Sequence, residues 1–162
     1  MIRINICVDL GKIKGLKRML KKCPGELERA LEEGILSIAL SLEAFAKQKI
    51  REQGAIDLGQ LLNSLTVKRI SPKHALVGTN VEYAPAVEFG TKGHWLKIDN
   101  IPGFRNWMKH HGIDPDGKLE FFYVEPKPRP YMEPAFQWGK QILPETIEKQ
   151  IENTMRRLKK EL

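Results

Sequence analysis

The stretch "ELERALEEGILSIALSLEAFAKQKIREQ", Glu26 to Gln53, decides the fold. Leu27, Leu31, Ile35, Ile38, Leu42, Phe45 and Ile50 recur mostly at steps of three and four residues, the spacing that lines one face of an α-helix. Glu26, Glu28, Glu32 and Glu33 crowd the first two turns, and Lys47, Lys49 and Arg51 crowd the last two. Both biases complement the helix dipole. Gly54 is a stop signal. Such a helix is about 40 Å long. It spans the domain and predicts a sheet to pack on.

The flanking sequence supplies that sheet. Residues 2–10 alternate, with Ile2, Ile4, Ile6, Val8 and Leu10 on one side, the mark of a half-buried strand. After Gly11, "KIKGLKRMLKK" places Ile13, Leu16 and Leu20 on one face of a short helix that ends at Pro24-Gly25. Beyond the long helix, Asp57 can cap a short turn over Leu58–Ser64. Residues 65–71 and 74–80 read as two strands joined by a tight turn at Ser71-Pro72-Lys73. The stretch "EYAPAVEFGT", Glu82 to Thr91, fits either one helical turn or a short strand.

Residues 92–128 read as an insertion. Phe104, Trp107, Met108 and His111 stand at helical spacing after Pro102. "DPDG" (114–117) is a turn, "LEFFYVEP" a strand, and "KPRP" an extended link, because each residue before a proline is held out of the α region. "YMEPAF" opens a final helix with Pro134 near its first turn. Phe136, Leu143, Ile147, Ile151, Met155, Leu158 and Leu162 mark its apolar side, and Pro144 is expected to kink or split it. The expectation is a single α+β domain over residues 1–162. A small antiparallel sheet packs against the long helix, with a C-terminal helix and a mixed insertion at about 92–128.

The chain has 162 residues, 41% hydrophobic and 29% charged, with a formal net charge of +7. No apolar run approaches the ~18–20 residues needed to span a bilayer, and the N-terminus lacks the features of a signal peptide. The protein is therefore expected to be made in the cytoplasm, with Cys7 and Cys23 as free thiols. The charge is uneven. Residues 1–23 carry seven Lys/Arg against Asp9 alone. Lys12, Lys14, Lys17, Arg18, Lys21 and Lys22 can meet DNA phosphate or an acidic partner, or form the solvated face of a short helix. No aromatics interleave with them, so base stacking is not expected.

Catalytic patterns are missing. There is no G-x-S-x-G, P-loop, H-E-x-x-H or Cys-x-x-Cys. The histidines are scattered or adjacent, which does not suit zinc. Asp114 and Asp116 lack the other oxygen ligands of a calcium loop. No enzymatic activity, metal or cofactor is expected.

Four segments in order carry a resemblance: the basic opening "LGKIKGLKRMLKKCPGELERAL", then "DLGQLLNSL", "YAPAVEFGT" and "RPYMEPAF". Together they resemble the tailed-phage family of head–tail joining proteins, the neck or tail-completion components, over nearly the whole chain. Asp57, Gly59, Leu61 and Ser64 match the second motif. Tyr83, Ala84, Glu88, Gly90 and Thr91 match the third, with Phe89 between them. Arg129, Pro130, Pro134 and Ala135 match the last. Leu58 stands where the family usually has threonine, Tyr131 where it usually has phenylalanine, and no proline precedes Asp57. Residues 92–128 are the variable part.

The resemblance implies a non-enzymatic virion protein that assembles as a ring, six- or twelvefold, joining the phage connector to the tail. Its implied partners are its own copies, the connector or adaptor, the tail-terminator or tail-tube proteins, and packaged DNA as a non-specific contact. No membrane is implied. A tail-terminator ring protein and a small non-specific DNA-binding protein are the alternatives. "VEFGT" and "RPYMEP" are expected to be neighbours, with Glu88 paired to Arg129 and Gly90 at a sharp turn. Tyr83 and Tyr131 are expected to present amphipathic surface. Within the insertion, Trp95 and Trp107 are expected to anchor an interface with a neighbouring subunit or another virion protein.

Overall fold

The structure is a computed structural model that describes residues 2–7, 24–53, 59–101 and 103–160. The basic segment with Lys12, Lys14, Lys17, Arg18, Lys21 and Lys22 lies outside the described residues, as do Gly11, Gly54, Asp57 and Pro102.

In chain order, the strand Ile2–Cys7 (β1) precedes the long helix Pro24–Glu52 (α1) and a short helix, Gly59–Ser64 (α2). The strands Thr66–Ser71 (β2) and His74–Thr79 (β3) follow, then the helix Ala84–Phe89 (α3). The insertion contributes His94–Lys97 (β4), the helix Phe104–His110 (α4) and Phe121–Val124 (β5). The last helix is Met132–Lys160 (α5).

The architecture is α+β, as expected. An antiparallel sheet of order β1-β3-β2 carries the long helices on one face. Register places Ile4 opposite Val77 and Ile6 opposite Ala75, and Val67 opposite Val77. These residues form the inner face, because directly opposed residues of antiparallel strands share a side. Ile4, Ile6, Ala75 and Val77 are buried against Leu31, Ile35, Ile38 and Leu42 of α1. Each buried Ile, Leu or Val side chain among them stabilises the fold by roughly 1.5–3 kcal/mol.

The helices α1 and α5 run antiparallel and interlock through two glycines. A methyl group at Gly34 would stand 2.8 Å from Cδ1 of Ile147, and one at Gly139 would stand 2.6 Å from Cδ2 of Leu42. Each helix thus offers a notch to a branched side chain of the other. Phe45 and Trp138 stack beside them with centroids 4.9 Å apart.

Of the kink or split expected at Pro144 in the last helix, the split does not occur, since α5 continues from Met132 to Lys160. Pro144 is exposed, so water can reach the backbone carbonyl that loses its donor. The apolar stripe also keeps its phase across the proline, with Ile147 and Ile151 buried beyond it. Phe136 and Met155 are not core residues, being 36% and 39% exposed. The packed positions are the smaller Ala135 and Gly139, which allow the closer approach of α1.

The insertion has a minicore of its own. β4 and β5 pair antiparallel, and α4 covers one side of the ribbon through an edge-to-face contact between Phe104 and Phe122. Ile98 and Met108 are fully buried there, outside the main core. "DPDG" is a turn, closed by the Asp114 carboxylate, which accepts the backbone N–H groups of Lys118 (3.0 Å) and Leu119 (3.3 Å). Arg105 ties Asp99 (2.6 Å) to the Gly117 carbonyl (2.5 Å) across the same turn.

Candidate functional site

The segments 83–91 and 129–135 are neighbours, and Glu88 joins them. A helix begins with four backbone N–H groups that have no partner within it. In α5 these belong to Tyr131, Met132, Glu133 and position 134. Pro134 has no N–H. The other three donate to Glu88: Tyr131 (2.8 Å) and Met132 (2.9 Å) to Oε2, and Glu133 (2.9 Å) to Oε1. One carboxylate from a distant helix and one proline account for every orphan donor. The negative charge also sits at the positive end of the helix dipole.

This geometry corrects the expected pairing of Glu88 with Arg129. The carboxylate is buried (3% exposed) and its oxygens face main-chain donors. The Arg129 side chain is exposed, and its backbone N–H donates to the Val87 carbonyl (2.8 Å). A guanidinium brought into the cap would have to leave water and displace amides that are already in place.

The chain around the cap is equally constrained. Gly90 has φ 71° and ψ 178°, a region that L side chains rarely adopt. A methyl group there would also meet the Pro126 carbonyl at 2.7 Å. The turn was expected, and its tightness comes from this approach. The Thr91 N–H donates to that same carbonyl (3.1 Å). The Pro130 carbonyl accepts from Gln53 Nε2 (2.8 Å) at the end of α1. Ser64 of the second motif lies in a separate hydroxyl pair with Thr79 (2.6 Å), whose oxygen accepts the Val81 N–H (3.1 Å).

Tyr131 corrects another expectation. It is fully buried and presents no surface. Burial pushes its phenol well above the usual tyrosine range, and the neighbouring Glu88 charge and Tyr83 push the same way. Among the described residues its hydroxyl has no hydrogen-bond partner. Tyr83 is half-buried against the core, and its phenol is also raised by burial, opposed by a hydrogen bond with the Leu61 backbone.

The two tryptophans separate. Trp107 stacks on Phe104 (centroids 5.6 Å apart) inside the insertion's minicore. Trp95 is 68% exposed on the ribbon, in edge contact with Tyr123 (5.3 Å). Phe89 is 69% exposed beside the cap.

Among the described residues, no group of three or more His, Cys, Asp or Glu side chains is placed to hold a metal ion, and no helix is long and apolar enough to cross a membrane. Comparison of the chain with family models, curated proteins and solved structures found no match.

The arrangement acts as a clasp. It fixes where α5 starts relative to α3 and holds both ends of the insertion at one point. Sequence reasoning found the two segments and missed the partners. Tyr131 is a poor N-cap, and no Ser, Thr, Asp or Asn stands beside it. A helix opening without its own cap is a signal that an acceptor comes from elsewhere.

Proposed function

We propose that the chain is a non-enzymatic structural protein of the phage or prophage head–tail junction, assembling as a ring between the connector and the tail. The observation that carries the reading is the clasp. The third and fourth segments of the resemblance are forty residues apart, yet their matching residues serve one device. Glu88 accepts the amides that open α5, Gly90 admits Pro126, Pro134 removes the last donor, and Ala84 and Ala135 are fully buried. The matching residues of the two segments are thus coupled by hydrogen bonding and packing, which supports reading them as one motif. An exposed aromatic face on the insertion supports a role in assembly.

The test is deletion of the gene from the phage or prophage genome that carries it, with particles counted by electron microscopy. DNA-filled heads and separate finished tails should accumulate, and a plasmid copy should restore joined particles. Overlong tails would favour the tail-terminator reading. Normal infectious particles would overturn both. Tight duplex binding by the pure protein that falls steeply with salt, together with normal particles, would favour the DNA-binding reading.

A further inference from the structure

The sheet β1-β3-β2 has a second face, turned away from α1 and α5. Arg3 and Thr66 both pair with Gly78, and Asn5 and Lys68 both pair with Leu76, so these residues share that face. Arg3, Lys68 and Lys73, which stands in the turn between β2 and β3, are all exposed. The stem of Arg3 leans over the middle strand, because a side chain at Gly78 would begin 3.0 Å from its Cγ. Gly78 thus leaves room for the arginine on the face. A hollow of about 280 Å³ opens there, with Arg3, Thr66, Lys68, Leu76 and Asn80 in its lining.

Charge on this face is one-sided. The three strands and the turn at 72–73 contain no aspartate or glutamate. Among the described residues, the side chains of Arg3, Lys68 and Lys73 make no ion pair and no hydrogen bond. Elsewhere Lys47, Lys49, Arg105 and Arg156 each lie beside a carboxylate. Arg69 is not counted, since it pairs with Glu32 of α1. Glu82 and Glu133 line neighbouring hollows at the border, and neither pairs with the three cations. The register puts Arg3 and Lys68 about 12 Å apart and makes the row from Arg3 to Lys73 roughly 18 Å long. About five phosphates of one DNA strand, spaced ~3.4 Å along the axis, lie along such a length.

We propose that this face holds the phosphate backbone of duplex DNA without reading its sequence. The cations meet phosphates, and Asn5, Thr66 and Asn80 add the amide and hydroxyl donors that commonly accompany them. None of the three strands carries an aromatic residue. The face therefore offers no platform on which single-stranded bases could stack, and no aromatic anchor of the kind that fixes a protein partner. The contact is electrostatic, and three phosphate contacts give a slope of about −2.7 in log K against log salt. The inference rests on the charge of the face and not on the virion reading.

The test is anisotropy of a labelled duplex of random sequence, titrated with up to about 100 µM full-length protein over a range from about 50 to 200 mM salt. One triple variant combines Arg3→Gln, Lys68→Gln and Lys73→Gln. A control triple of the same charge change combines Lys97→Gln, Lys127→Gln and Lys149→Gln, all exposed and away from the sheet. Circular dichroism checks that each folds. The parent should bind at the lowest salt and lose the duplex as salt rises. The face triple should bind at least tenfold more weakly there, with a slope shallower by about two to three, and the control should change the slope by less than about one. If Arg3→Gln loosens β1, the Lys68→Gln, Lys73→Gln double variant serves, with a slope shallower by about two. No binding by the parent, equal loss in both triples, or a slope that falls only when Lys12, Lys17 and Lys21 are changed to glutamine would overturn the proposal. Tighter binding to a thymidine single strand would overturn the duplex assignment. Equal binding to poly-glutamate, lost in the face triple, would make the partner an acidic protein and overturn the DNA assignment. The assay contains no phage component, so its failure leaves the deletion test standing, and normal particles in that test leave this face standing.

Discussion

Glu88→Gln is nearly isosteric, and its effect follows from the three bonds in the cap. The amide oxygen can keep the Tyr131 and Met132 donors that now meet Oε2. The amide nitrogen must then face the Glu133 N–H, which bonds Oε1 at 2.9 Å. Two donors meet, and one buried N–H is left unsatisfied at a cost of roughly 1–3 kcal/mol. The two remaining bonds change from charge-assisted to neutral, losing about 0.5–1 kcal/mol each. Loss of the charge at the helix end adds a few tenths to about 1 kcal/mol. The expected destabilisation is about 3 kcal/mol, and about 5 kcal/mol for Glu88→Ala, which strands all three donors. Either is a large share of the ~5–15 kcal/mol that holds a typical domain. Urea unfolding followed by circular dichroism gives the value. Hydrogen exchange at Tyr131, Met132 and Glu133 locates it, because these amides should lose protection first. Arg129→Ala should stay within about 0.5 kcal/mol of the parent. If Glu88→Gln unfolds within 0.5 kcal/mol of the parent at an unchanged slope, or if Arg129→Ala costs as much as Glu88→Gln, the capping argument is wrong.

Tyr131→Phe removes a buried hydroxyl that has no partner among the described residues, so it should stabilise the fold by about 1 kcal/mol in thermal or urea melts; clear destabilisation would reveal a hidden partner. The same variant has a pH signature. The Tyr131 phenol is raised in the fold, so its contribution is intact below the ordinary value near 10 and is lost as pH climbs past it. The advantage of Tyr131→Phe should therefore widen above pH ~10, by up to ~1.4 kcal/mol per unit, and a constant gap would contradict the raised phenol. Gly34→Ala should destabilise by about 1–3 kcal/mol despite the better helix propensity of alanine, and pairing it with Ile147→Val should recover part of the loss in the same melts. Arg105→Ala should speed amide exchange across residues 98–122 while the amides of α1 and α5 keep their protection; uniform loss would mean that the insertion and main core unfold as one unit.

The parts of the fold that could be read in advance are those written in side-chain periodicity. Leu31, Ile35, Ile38 and Leu42 announce α1 by spacing, and Ile4 and Ile6 announce the inner face of β1. Pro72-Lys73 marks the turn between β2 and β3. The parts that could not be read depend on backbone or on small residues. Glu88 binds main-chain N–H groups, which every non-proline residue carries, so no side-chain pattern points to them. An ion pair with Arg129 was the natural guess because two opposite charges are visible in a sequence and three amides are not. Gly34 and Gly139 look like weak spots in helices until Ile147 and Leu42 are seen to need the space. β4 escaped notice because "HWLK" is four residues long and alternates little, and Phe121–Val124 on the partner strand makes it a strand. In the candidate site, adjacency of the two segments came from their order in the resemblance. The burial of Tyr131 did not, because tyrosine suits surface and core alike.

The insertion leaves and rejoins the chain at one spot. The Thr91 N–H meets the Pro126 carbonyl, and the Arg129 N–H meets that of Val87. Whatever lies between those two bonds hangs from a fixed hook, and its length makes little difference to the body of the protein. Loop-closure cost rises by only about 0.6 kcal/mol for each doubling of length. The region between Thr91 and Pro126 is thus an exchangeable cassette. A longer graft, a shorter hairpin or a foreign binding module could be spliced there while the clasp below it still sets the start of α5. Sequence variation can accumulate in that cassette without renegotiating the core.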